Sequence, residues 1–286
     1  MSDARNEVSL TSRRTTEAVW RGVAAAATAL TVVLLASVLV SVVGRGSRGL
    51  SMTTLTELPR PTGVAGGGVA NAIWGTLLLM GLASAIALPV GLLAGIHLAE
   101  NREGKLVRMA RVSADALTAV PSVVLGIVVF SVVVVWAKSF SALAGASALA
   151  FTMIPSIARA TEVAVRAVPE KLREAALALG ATRHRVIARV VLPAASRGVA
   201  TGALLAIGRA SGEAAPLLFT AWESRFFCDD LREPTASLPV TIFTYTISPY
   251  DDRHAQAWAA SLVLVALVLV FQVTARALAK KSRDAT

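Results

Sequence analysis

Six long apolar blocks constrain this chain more than anything else in it. They cover approximately residues 20–43, 70–98, 113–137, 141–160, 194–221 and 255–277. A bilayer hydrocarbon core of about 30 Å is crossed by about 20 predominantly apolar residues in a helix. Each block meets that length, so the reading is an all-α, polytopic membrane protein with six transmembrane helices. Composition agrees: the chain is 55% hydrophobic with a mean hydropathy of +0.65, which soluble domains of this size seldom reach. Trp20, Trp136, Trp222 and Trp258 stand at or near block ends, where amphipathic rings favour the membrane interface.

Basic residues set the orientation. The N-terminus, the 99–112 loop, the 159–197 segment and the C-terminus together hold 20 of the 28 Lys and Arg. Seven lie on the other side, and Arg209 is left within a block. The positive-inside bias expects both termini in the cytoplasm, as six spans require. The net charge of +10 then falls on the cytoplasmic face, beside anionic lipid, and is no argument for nucleic-acid binding. One cysteine, Cys228, excludes an internal disulfide, and with three scattered His offers no metal cluster. The first block is 24 residues long with no small-residue cleavage site behind it, so it reads as a span and not a signal peptide.

The expected organisation is a polar, loose tail over 1–19, one membrane domain over 20–279 and a short tail over 280–286. The 44–69 loop, with GRGSRG and GVAGGG, is expected to be flexible. Pro89, Pro121, Pro155 and Pro216 interrupt spans two to five. Each frees a backbone carbonyl that a neighbour or water must satisfy; packed bundles and transporters both use such breaks.

Two connections are long enough to carry function. The first contains PEKLREAALALGATRHRVIARVVLP, residues 169–193. Pro169 and Glu170 suit a helix start, Gly180 suits its stop, and Thr182 can cap a second short helix ending near Pro193. Ala175, Ala176, Ala178, Gly180 and Ala181 would let another surface approach the backbone closely. On composition alone this hairpin could equally rest on lipid. The second connection, 222–254, carries six acids and the aromatics Phe226, Phe227, Phe243, Tyr245 and Tyr250; it reads as a docking surface or a short re-entrant helix.

Arg209 and Glu213 stand inside the fifth block. A charge near mid-bilayer costs about 2.5–3.5 kcal/mol on insertion scales. The two are i and i+4, so a continuous helix would put them on one face, directed into a bundle or cavity. Two readings stay open. One is a neutral pair locking helix packing, helped by a Gly208–Gly212 G-x-x-x-G face. The other is an anion site, in which the planar guanidinium fork meets a tetrahedral oxyanion and the carboxylate steadies the Arg or accepts the proton of a hydrogen phosphate. Weaker candidates are Asn71 and Thr76, near the outer start of the second span, which read as backbone-bonding, and Arg159 and Glu162, at the inner end of the fourth, which read as interfacial anchors or as lining an exit.

The order of residues in the first connection resembles a known signature. Glu174-Ala175-Ala176, three residues, Gly180, nine residues, Val190, one residue and Leu192-Pro193 are similar to the EAA loop of ABC-importer permeases, with Val for the usual Ile. That resemblance implies the type I, MetI-like permease fold and makes Glu174, Ala175, Ala176 and Gly180 the element that docks on a separate ATPase. No G-x-x-x-x-G-K-[ST] occurs in the chain, so no phosphate cradle for ATP is expected here. The expectation is a non-catalytic subunit without cofactors of its own, ATP being bound by partner ATPase subunits.

AIGRASGEAAPLLFTA (206–221), NAIWGTLLL (71–79), PVGLLAGIHLAE (89–100), VPSVVLG (120–126) and LPVTIF (238–243) resemble the PstA-type phosphate permease family. The resemblance covers nearly everything after residue 70. It implies a PstC-type sister permease, two PstB-type ATPase subunits, an extracytoplasmic PstS-type phosphate-binding protein, and Arg209 and Glu213 on the path of inorganic phosphate. The rival readings are a permease for sulfate or molybdate, and an ion-coupled secondary transporter with Glu213 as proton carrier. The second leaves the EAA-like loop unexplained, and the internal repeats such carriers often show are not found.

Overall fold

The computed structural model describes residues 3–61, 64, 66–101 and 104–284, with side chains described for 16–61, 64, 66–101 and 104–277. The segment over 1–19, expected to be a loose tail, is helical from Asp3 onward and continues α1, while the side chains of the tail expected over 280–286 lie outside the described ones. The long helices are α1 (Asp3–Gly49), α2 (Ala70–Glu100), α3 (Lys105–Ala119), α4 (Ser122–Ala137), α5 (Ala142–Arg166), α6 (Glu170–Ala178), α7 (Arg183–Ala210), α8 (Leu238–Thr246) and α9 (Asp251–Asp284). Five described helices are long and apolar enough to cross a membrane, and α3 with α4 makes a sixth span if the bent pair counts as one. The described residues form a multi-pass helical bundle.

α5 is the centre of that bundle. It runs parallel to α2: Leu79 meets Gly145, Gly91 meets Ile157, and Gly95 meets Ala158 and Thr161. It runs antiparallel to α7: Gly198 meets Ala164 and Gly202 meets Ala160. A Cβ on Gly202 would stand 2.1 Å from the Ala160 Cβ, so these backbones approach as closely as small residues permit. Close packing of small residues, not a hydrophobic drive, joins helices in lipid. The close approaches to α5 use Gly91-x-x-x-Gly95 and Gly198-x-x-x-Gly202, while of the expected Gly208–Gly212 pair only Gly208 meets another helix. Gly208 faces Gln272 of α9, and nothing but its own turn lies near Gly212.

Three expectations are corrected by the prolines and glycines. The third block is not one straight span: α3 and α4 meet at 106°. Pro121 has no N–H to continue α3, and Val120 before it takes the extended conformation (φ −68°, ψ 129°) that a following proline imposes. The hairpin's second helix does not end at Pro193. It runs on into the membrane through a wider turn at Ile187–Val191, where Leu192 N–H bonds to the Ile187 carbonyl. That wider turn relieves the clash a proline ring makes with the carbonyl four residues earlier. Finally, GRGSRG is helical: Gly46 and Gly49 lie against Trp258, Leu262 and Ala255 of α9, and Arg45 sits 5.0 Å over the Trp258 ring.

The connection after α7 folds back over α5. The carbonyls of Thr220, Glu233 and Leu231 accept the N–H groups of Ser141, Ala142 and Leu143, and the Ser141 hydroxyl accepts from Ala144 N–H. The donors that a helix start leaves without partners are thus satisfied inside the bundle. α8, in the connection read as a docking surface or a short re-entrant helix, buries Leu238, Pro239, Val240, Thr241 and Tyr245.

Candidate functional site

α7 stops at Ala210, halfway through the bundle. Gly198 lies level with the last turn of α5 and Gly202 one turn deeper. Arg209 borders the same cleft as Thr152 and Ser156, at the middle of α5. The chain then turns: Ser211 N–H bonds to Ile207, Gly212 to Arg209 and Glu213 to Ala210. The Ser211 hydroxyl donates to the Gly208 carbonyl. Pro216 opens the next short helix, Ala215–Leu218, and its backbone lies against Gly126 of α4. Arg209 and Glu213 are therefore not on one helical face, as the i, i+4 spacing predicts; the helix ends between them and a turn brings the second under the first.

The cleft is about 230 Å³, below the roughly 300–1,000 Å³ of pockets for organic ligands and in keeping with a small ion. Its walls are the α3–α4 bend at Val120-Pro121, the middle of α5 and the end of α7. The polar groups lining it include Ser122, Thr152, Ser156, Arg209 and Glu213. The start of α4 opens into it, with the positive end of that helix dipole beside the Arg209 guanidinium. Arg209 is 75% exposed in the isolated chain and Glu213 18%. Arg209 Nε stands 3.8 Å from Glu213 Oε1, too far for a hydrogen bond. Among the described residues the guanidinium has Glu213 as its only ion-pair partner.

At the hairpin end, α6 closes on a Schellman turn: Gly180 N–H bonds to Leu177 and Ala181 N–H to Ala176, with Gly180 at φ +80°. Thr182 stands at the next helix start, but its side chain makes no capping bond. Glu174, Ala175 and Gly180 are exposed, while Ala176 turns inward onto the cluster of Ala99, Val165, Val168 and Val186. α6 buries no residue fully. It is tied to the bundle by Arg173, which pairs with Glu100 and donates to the Val165 carbonyl at 3.0 Å.

Sequence reasoning placed Arg159 and Glu162 at an interface and missed their main role. Glu162 is 1% exposed and accepts from Arg111 at 3.0 Å, Arg159 at 3.0 Å and Arg166 at 2.9 Å. Arg159 and Arg166 stand three residues before and four after Glu162 on α5, a spacing the sequence shows; the third guanidinium, Arg111, comes from α3, and its arrival needs both helices in place. Asn71 and Thr76 bond backbone, as one reading expected: Asn71 reaches the Ser224 carbonyl at 2.5 Å, and Thr76 accepts from Leu238 N–H at 2.8 Å.

Residues 87–284 match the family described as binding-protein-dependent transport system inner membrane component. The chain is 40% identical to the phosphate transport system permease protein PstA of Yersinia pestis, with 98% of each chain covered. It is 34% identical to the probable phosphate transport system permease protein PstA of Methanocaldococcus jannaschii, covering 93% of this chain and 94% of the relative. The fold is similar to a chain of the inward-facing MetNI methionine ABC transporter, with a TM-score of 0.63 at 23% identity over 74% of this chain and 95% of that one. The chain belongs to the binding-protein-dependent transport system inner membrane component family, the membrane-spanning subunits of ABC importers.

Proposed function

We propose that this chain is the PstA-type permease subunit of an ATP-driven importer for inorganic phosphate. One observation carries the reading: a guanidinium without a hydrogen-bond partner in the described chain sits at mid-depth in an open, hydroxyl-lined cleft. Left bare in lipid, that charge would cost several kcal/mol, so a second membrane subunit must cover the cleft. A PstC-type sister permease supplies that wall. Phosphate passes between the two subunits, with its oxygens on the Arg209 fork and the cleft hydroxyls. Glu213 steadies the Arg and accepts a hydrogen bond from the O–H of a hydrogen phosphate, a donor that sulfate lacks. The names of the relatives support phosphate over sulfate or molybdate.

The hairpin end faces the cytoplasm, in keeping with its share of the basic residues. There Glu174, Ala175 and Gly180, with Ala176 behind them, dock on one of two PstB-type ATPase subunits. A PstS-type binding protein delivers phosphate at the opposite end. ATP, bound and hydrolysed by the partner subunits, closes the docking groove, and the membrane helices alternate between outward and inward access; this chain holds no cofactor and performs no covalent chemistry. Reconstituted in vesicles with its partners, the complex is expected to take up phosphate only when ATP is present on the hairpin side, with a large excess of sulfate failing to compete. Uptake driven by an ion gradient without ATP would contradict the reading.

A further inference from the structure

Glu162 is almost fully enclosed, and burying a carboxylate is costly unless it is paired and hydrogen-bonded. One guanidinium would neutralise it; three surround it. The surplus is shared out: Arg111 and Arg166 also donate to the Leu98 carbonyl in the last turn of α2, at 3.4 and 3.1 Å, and Arg159 also pairs with Asp115 at 3.1 Å. The cluster thus joins the ends of α2 and α5 to α3. It matters most for α3, in which Val107 is the only buried residue. Polar bonds from Arg111 and Asp115 hold this helix where apolar packing does not, and its far end is the Val120-Pro121 wall of the cleft.

The docking helix α6 is held in the same way. It too lacks a fully buried residue, and Arg173 ties it to Glu100 of α2 and to the Val165 carbonyl of α5. Arg183 adds a bond to the Glu100 carbonyl at 3.1 Å. Two weakly packed helices, one at the ATPase surface and one at the cleft, are therefore fastened to one rigid body by ionic clusters less than one helical turn apart along α5, at Glu162 and Val165.

From this arrangement we infer that Glu162 is a positioning residue for coupling. It makes α3 follow the body that the docking hairpin moves, so that closure at the ATPase reaches the wall of the phosphate cleft. Without it, α3 keeps only the Arg111–Leu98 and Asp115–Arg159 bonds, it follows the body less faithfully, and part of the hairpin's movement is spent without remodelling the cleft. The inference rests on the ATP-driven reading above. A shared network is not by itself coupling, so the test must read coupling directly.

The test compares ATP hydrolysed per phosphate transported in the full complex, reconstituted with wild-type chain, Glu162→Gln, Glu162→Asp and Arg111→Gln. Glu162→Gln removes the charge and keeps the shape; it is expected to assemble and hydrolyse ATP while using at least threefold more ATP per phosphate. Glu162→Asp, which keeps the charge, should recover part of that loss. Arg111→Gln loosens α3 while leaving its Asp115–Arg159 bond, and should shift the ratio in the same direction; it carries the test if Glu162→Gln does not assemble. An unchanged ratio in the assembled variants overturns the inference, as does failure of both Gln variants to assemble, which would make the cluster a folding element only. A wild-type complex with no ATP-dependent phosphate uptake would instead overturn the underlying reading.

Discussion

Arg209 and Glu162 meet the same difficulty, a charge at depth, in opposite ways. Glu162 is closed off by three guanidiniums, whereas Arg209 keeps its donors open to the cleft. A third charged residue shows a different balance. Burial pushes the Glu223 carboxyl above its ordinary 4.5, outweighing the pull of Arg253, Arg225 and a hydrogen bond from Thr244. The folded chain then keeps a proton that the unfolded chain releases. Its stabilising effect is complete below about pH 4.5 and is lost as pH rises through the raised folded value. Glu223→Gln should therefore gain stability relative to wild type as pH climbs through that window and hold the gain above it. Thermal melts in detergent at acidic and neutral pH would read this; a difference that shrinks with rising pH would contradict it.

At the scale of elements, glycines decide which helices touch. Gly202→Val drives a branched side chain into Ala160, where even a Cβ has no room. It should cost more than the roughly 1–3 kcal/mol of ordinary overpacking and sharply lower the yield of folded chain. Gly212→Ala meets only the Arg209 carbonyl, at an ordinary 3.8 Å, and should stay within about 0.5 kcal/mol of wild type. The same comparison shows what the sequence can reveal. Both G-x-x-x-G pairs that pack against α5, one on α2 and one on α7, are written in it, yet so is the pair at Gly208 and Gly212, and only the neighbouring helix tells them apart. Gly180 was legible because its demand is local: at φ +80° it needs no neighbour to explain it. Gly180→Ala should cost roughly 1–2 kcal/mol of hairpin stability and weaken ATPase binding several-fold in a pull-down titration, with membrane insertion unchanged.

Across the whole molecule, the apolar blocks and the charge asymmetry were enough for a helical membrane bundle, because lipid reads composition over 20 residues and is insensitive to detail. The bends were less legible. A proline can kink, cap or be absorbed: Pro89 and Pro155 lie inside unbroken helices, Pro121 turns the chain through 106° and Pro193 is absorbed behind a widened turn. Which outcome occurs depends on contacts far along the chain. The cleft was legible in its charges and not in its walls, since Thr152, Ser156 and the α3–α4 bend become neighbours only when α5 is central. These parts assemble into one account, in which a hairpin at one end moves helices that line an anion cleft at mid-depth. Phosphate uptake by the reconstituted complex carrying Arg209→Gln tests it most directly, with assembly and basal ATP hydrolysis followed in parallel. The account predicts at least a tenfold loss of uptake in a complex that still assembles and hydrolyses ATP. Uptake at the wild-type rate, or a complex that falls apart, would contradict it and make the Arg209–Glu213 pair a packing device.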